Sequence, residues 1–214
     1  MTLRARVFEA LGTVYDPELD EPITSLGFVG SCVVTSGGDV AVRLRLPTPQ
    51  CAPNFAFLMA ADARAAVRAL PEVRKVTIEL EDHFTGAEIN AAVGRGEDFD
   101  AAFPGETAGD LEPLRALFRR KALLARQSRL LSLPATRLGE LTGPDADRCR
   151  ALRRALGIDA SDDAPAFVTG DGKPVAGSDV RFRRMASLTA LSLETNGGIC
   201  RDLLKIRTSG EVAA

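Results

Sequence analysis

The sequence contains no tryptophan, one tyrosine and one histidine, and aromatic residues make up 5% of it. Stacking of bases on a row of aromatic side chains is therefore not a function this chain is built for. Its four cysteines, Cys32, Cys51, Cys149 and Cys200, lie far apart and never form a CxxC pair. That scatter excludes a disulfide framework and a zinc knuckle. Charge of neither sign dominates: 27 Lys and Arg face 29 Asp and Glu, a net −2. No global field draws the chain to nucleic acid or to an acidic membrane surface. There is no run of about 18 apolar residues of the kind a membrane span requires. MTLRARVFEALG enters a helical pattern directly, without the apolar stretch of a signal peptide. The expectation is a cytoplasmic protein with reduced thiols, using neither nucleic acid nor membrane as a partner.

What is present is an ordinary globular balance over 214 residues, enough for one or two domains with a real core. Leu3, Val7, Ala10, Leu11 and Val14 recur at helical spacing. The prolines of DPELDEP, Asp16–Pro22, stop that helix. Phe28–Thr35 reads as a strand, Ser36–Asp39 as a turn and Val40–Leu46 as a second strand. A helix from Pro53 to about Leu70 follows, then a third strand in which Val76, Ile78 and Leu80 alternate with polar residues. The predicted fold class is α+β: a small two-layer domain of order α-β-β-α-β over residues 1–90, followed by a mainly helical domain over 111–214. Residues 91–110, within a stretch rich in Gly, Ala and acid, read as a linker.

In the helical part, Leu114, Leu117, Phe118, Leu124 and Leu131 are candidates for the buried face of a long helix whose other faces carry arginines. DADRCRALRRALG after Pro144 reads as a second helix ended by Gly157, with Cys149 on its core face. GDGKPVAG lacks Walker spacing and reads as a turn. The basic face is expected to be solvated or to dock on an acidic protein surface.

One stretch stands out. LRLPTPQCAPNF places Cys51 between prolines where a strand gives way to a helix. Only the thiolate attacks electrophiles or binds metal, and a helix N-terminus favours a nearby anion. Cys32 alternates with Phe28, Gly30 and Val34 and is expected in the core. Cys200, in NGGICRDLLK, follows a glycine pair and reads as a helix start that echoes Cys51, a weaker metal-ligand candidate. His83 lies among Glu81, Asp82 and Glu88 and is a second such candidate.

DPELDEPITSLGFV, a strand pair, LRLPTPQCAP, an alanine-rich helix and a third strand together resemble the PaaD-like and SufT-like family of iron–sulfur cluster assembly domains, over roughly Leu3–Asn90. The family's Asp-Pro-Glu loop corresponds to Asp16, Pro17 and Glu18, its leucine-glycine step to Leu26 and Gly27, and its Thr-Pro-x-Cys segment to Thr48, Pro49 and Cys51. The chain departs from the pattern at EDHFTGAEIN, and its long C-terminal extension has no counterpart in the minimal domain. The resemblance implies a factor for assembling or delivering iron–sulfur clusters or iron to a client metalloprotein. Cys51 would be the reactive or ligating residue, with Asp16, Glu18 and Thr48 shaping its pocket. The cargo would be transient, because a stable cluster takes four thiolate-type ligands and Cys51 is one. A homodimer could place two Cys51 residues around a shared cluster; an adaptor between scaffold protein and client is the favoured alternative. Such a factor needs no turnover chemistry. Two other classes compete: a thiol-dependent enzyme using Cys51 and His83, and a metal-free protein-interaction module.

Overall fold

A computed structural model describes residues 1–106 and 110–211. Its fold is α+β, a small three-stranded sheet with helices followed by a helical region, and the chain divides into two compact units. The first comprises residues 1–111 and 197–214, and the second residues 112–196.

In the first unit, helix α1 (Leu3–Leu11) precedes strands β1 (Val29–Val34) and β2 (Asp39–Arg45), helix α2 (Pro53–Arg68) and strand β3 (Lys75–Glu81). Two short helices, α3 (Gly86–Arg95) and α4 (Phe99–Ala102), follow. β1 pairs antiparallel with β2, as a tight turn allows, and β2 pairs parallel with β3, which requires the crossover that α2 supplies. The parallel register sets Val40 beside Val76, Val42 beside Ile78 and Leu44 beside Leu80. All six are buried, whereas Ala41, Arg43, Thr77 and Glu79 between them are exposed. Period-two alternation thus becomes one dry face and one wet face. α2 brings Ala56, Ala60, Ala63 and Val67 into the same core.

The expected connection over residues 91–110 contains helical structure. Ile89, Ala92 and Val93 of α3 are buried, and Asn90 exchanges two hydrogen bonds with the backbone of Leu80 on β3. Phe99 of α4 meets Phe57 of α2 edge to face, with ring centroids 5.5 Å apart. Glycine and alanine obscure the helical period here because they contribute little to an apolar stripe. Residues 107–109 of that connection lie outside those described.

In the second unit, helix α5 (Glu112–Leu130) and helix α6 (Pro144–Ala155) enclose a core with Leu138, Leu141, Phe167 and Phe182. The buried face of α5 matches the expected one in part: Leu131 is buried and Leu124 packs against the core, but Ala122, Leu123, Ala125, Gln127 and Leu130 are also inside, while Leu117 is exposed. Polar Gln127 is there because its side chain completes a backbone. Its Nε2 donates to the Val168 carbonyl at 2.9 Å and its Oε1 accepts the Val168 N–H at 2.8 Å. The arginine face of α5 is largely paired, Arg126 and Arg129 with Asp145, and Arg115 and Arg119 with Glu112. Cys149 is core, as expected. Helix α7 (Val180–Glu211) carries residues of both units, and from Gly197 onward they belong to the first. Among the described residues, no helix is long and apolar enough to cross a membrane.

Replacing Gln127 with Leu strands two buried backbone groups of Val168. It should destabilise the protein by roughly 2–4 kcal/mol, read as a lower urea midpoint with unchanged slope. A shift below about 0.5 kcal/mol would mean water replaces both bonds.

Candidate functional site

Two loops and a helix end build the site, all within the first unit. The cysteine loop leaves β2 at buried Leu46 and runs through Pro47, Thr48, Pro49 and Gln50 to Cys51. The Cys51 N–H reaches back to the Thr48 carbonyl at 3.4 Å, closing a turn, and Thr48 Oγ1 lies 3.6 Å from Cys51 Sγ. Pro53 then opens α2, where no side chain caps the helix. Cys51 itself is half-buried.

His83, just past β3, braces this loop. Its Nε2 lies 2.7 Å from the Cys51 carbonyl oxygen, and the next residue, Phe84, donates its N–H to the Pro49 carbonyl at 3.0 Å. Nδ1 accepts the Thr85 N–H at 3.3 Å and has the Thr85 hydroxyl at 3.1 Å. The Thr85 N–H can only donate, so Nδ1 carries the lone pair and Nε2 the proton given to Cys51. Burial, and to a lesser extent the charge of Arg207, push the imidazole below its ordinary pKa, while the bond to Cys51 opposes them. A neutral ring is what this arrangement requires. Both nitrogens are thus engaged, and the Cys51 partner is its carbonyl, not its sulfur.

The acidic loop is organised by Asp16, which is 7% exposed. Its Oδ1 accepts the N–H groups of Glu18 at 2.9 Å and Leu19 at 2.8 Å, an Asx turn. The backbone closes around it, with Asp16 N–H bonded to the Glu21 carbonyl and Asp20 N–H to the Asp16 carbonyl. Asp20 takes a positive φ of 52°, a conformation that Asp tolerates better than most residues. Burial, reinforced by the charges of Glu18 and Glu21, lifts the Asp16 carboxyl from its ordinary 3.8 to about 6 against the two backbone bonds. The leucine-glycine step after this loop has a conformational cause: Gly27 has φ +77°.

The last turns of α7 bring in Cys200. It is not at a helix start, because Gly197 and Gly198 lie inside the 32-residue helix. Glycine costs about 1 kcal/mol in a helix but does not end one that packing supports. Here Gly197 allows close approach, since a Cβ would stand 3.1 Å from Glu21 Oε1. Arg201 Nη1 meets Glu21 Oε2 at 2.7 Å. Leu204 is buried beside Gly27. Arg207 donates to the Leu46 carbonyl at 2.6 Å and the Asp82 carbonyl at 3.1 Å. Cys200 shares this helical face and is half-buried. Burial, together with the charges of Asp16, Cys51 and Glu18, raises its thiol to about 11.

Of the expected residues, Thr48 stands beside the Cys51 sulfur, while Asp16 and Glu18 share the acidic loop. Cys32 is not in the core but half-buried on β1, where burial raises its thiol. Among the described residues, no group of three or more His, Cys, Asp or Glu side chains is spaced to hold a metal ion. Arg201 and Arg207 escaped the sequence reading; their spacing with Leu204 in RDLLKIR is an amphipathic signal for an element that returns to pack.

An α-β-β-α-β unit that presents a half-buried cysteine on the loop between β2 and α2 defines a small thiol-bearing domain. Residues 4–80 match the profile of a family described as iron–sulfur cluster assembly protein, and the chain belongs to that family through this segment. An uncharacterised protein of Methanocaldococcus jannaschii is 33% identical over 90 residues, which are 42% of this chain and 93% of that protein. An iron–sulfur cluster carrier protein of Deinococcus radiodurans is 38% identical over 87 residues, 40% of this chain but only 22% of the carrier. No solved structure matches the chain.

The raised carboxyl has a signed consequence. From about pH 4 to about 6 the folded chain keeps the Asp16 proton that the unfolded chain releases. This group therefore favours folding at low pH, and that contribution is lost as pH rises through about 6. Asp16→Asn keeps the acceptor oxygen and removes the charge. It should exceed the wild type in stability by roughly 2–3 kcal/mol above pH 6 and match it near pH 4, in urea denaturation followed by circular dichroism. A less stable variant at neutral pH would contradict the assignment.

Proposed function

We propose that this protein is an assembly or carrier factor for iron–sulfur clusters, or for their iron, which holds its cargo transiently at Cys51 and passes it to a client metalloprotein. The observation that carries this reading is the half-buried Cys51, held on a loop whose backbone His83 and Phe84 brace. Family membership and the likeness to a cluster carrier support it.

The donor set suits such cargo. Thiolate is the soft ligand that iron–sulfur clusters use, and a carboxylate tolerates the harder ferrous ion. The buried charge of Asp16, only partly offset by two backbone N–H groups, is a cost that a nearby cation would relieve. Thr48 Oγ1, 3.6 Å from the sulfur, can donate to the thiolate and keep it pointed outward. Glu18 extends the negative patch. An incomplete ligand set binds cargo without trapping it, leaving positions for groups of the scaffold or client. The second unit is the part free to recognise that partner. Reduced thiols are required throughout, as in the cytoplasm. His83 fits this picture as a brace; in the thiol-enzyme alternative it would have to leave the Cys51 carbonyl to serve the sulfur as a base.

Anaerobic loading of the full chain with ferrous iron and sulfide, then mixing with an apo iron–sulfur enzyme, tests the reading. Wild type should restore client activity. Cys51→Ala should keep its circular dichroism and unfolding midpoint yet restore at most about a tenth as much, since losing a sole anchoring bond costs more than 1.4 kcal/mol. Equal restoration by the variant would remove the proposed role of Cys51.

A further inference from the structure

Within the second unit, the first half of α7 carries an apolar face that the unit leaves uncovered. The helix is anchored there by Phe182 and Ala186, both buried in the core. Arg183 pins the same side, donating to the Leu131 carbonyl at 2.9 Å and the Gly177 carbonyl at 2.8 Å. Positions 181, 184, 185, 188 and 191 share a stripe about 120° wide on the opposite side. On it Met185 is 51% exposed, Leu188 58% and Leu191 60%. The other helices of this unit have polar outer faces. Among the described residues, α6 exposes no large apolar side chain and α5 exposes only Leu117. Apolar residues on both faces of a helix are expected where both faces are covered. Exposed ones spaced three apart are the pattern of a helix that lies in a groove of another molecule.

The charges on that face say what covers it. Arg181 and Arg184 lie in the stripe, and their side chains make no hydrogen bond or ion pair with any described residue. Between Asp179 and Glu194 the helix carries no acid. We propose that residues 181–191 of α7 dock into an apolar groove with an acidic rim on a partner protein. The proposal rests on the reading that the second unit recognises a scaffold or client, and it names the surface that does so. Met185, Leu188 and Leu191 fill the groove, and the two guanidinium groups meet carboxylates at its edge, which they can bind in bidentate fashion. Other occupants fit less well. A second copy of the chain offers the same face, so self-pairing brings no acid to either arginine. An anionic membrane attracts two arginines but repels a chain of net −2. Nucleic acid supplies phosphates and leaves the three apolar side chains without a partner.

The full chain carrying the photo-reactive replacement Leu188→benzoylphenylalanine, irradiated inside the cells it comes from, tests the proposal. Adducts are identified by mass spectrometry, and the crosslinked site on the partner is mapped. One protein adduct is expected. R181K/R184K should keep it, and R181E/R184E should reduce it at least about tenfold, because like charges set face to face cost several kcal/mol. Changing the acidic residues beside the mapped site to lysine should restore the adduct to R181E/R184E. Circular dichroism of every variant should match wild type, since all three positions are exposed. An adduct with a second copy of this chain, with lipid or with nucleic acid overturns the proposal, as does no adduct at all. A protein adduct indifferent to both charge reversals overturns it equally. Cys51→Ala should leave the adduct unchanged, so the docking face and the role of Cys51 stand or fall separately.

Discussion

Three hydrogen bonds to the backbone of one loop decide where the Cys51 sulfur can point. The Thr48 carbonyl takes the Cys51 N–H, His83 donates to the Cys51 carbonyl, and Phe84 donates to the Pro49 carbonyl. None of them uses the side chain. The loop is therefore held in place while the sulfur keeps its chemistry for something else. Two of the three come from residues immediately after β3, whose pairing with β2 sets the distance across which the histidine must reach. The small sheet is thus the ruler for the site.

In the acidic loop the electrostatics are unfavourable in the protein alone. Asp16 is nearly buried, the charges of Glu18 and Glu21 add to its cost, backbone amides of Glu18 and Leu19 offset part of it, and Arg201 pairs with Glu21. Natural loops rarely keep such an arrangement for stability, because burying a carboxylate without a close cation is costly. Under the proposed carrier role, iron-bearing cargo would relieve part of that cost. Asp16 and Glu18 also oppose ionisation of Cys200.

The fold of the first unit was legible because its strands alternate cleanly and its breaks are marked by proline. Val40, Val42 and Leu44 could only be one face of a strand, and Pro53 could only begin a helix. The stretch at residues 88–95 was not legible, since Asn90, Gly94 and alanines carry no apolar period even though α3 is well packed. On α5, the apolar pattern found Leu124 and Leu131 but not Gln127, which is buried because one distant peptide unit satisfies it. Of the candidate site, the cysteine loop and the acidic loop were marked by local motifs. The place of Cys200 was not, because it depends on a helix that continues through two glycines and packs its last turns on the first unit. Long-range return is a property of tertiary packing, and a single sequence encodes it only as a faint amphipathic stripe.

The central claim is that the cargo binds at the Cys51 sulfur. Thiol alkylation with iodoacetamide, quantified by mass spectrometry before and after anaerobic loading with iron and sulfide, addresses that atom directly. The account predicts that loading slows modification of Cys51 by about tenfold or more while Cys32 reacts at an unchanged rate, because only the thiolate left free can attack. Equal labelling of Cys51 in the loaded and unloaded protein, with iron demonstrably bound, would place the cargo elsewhere and contradict the account.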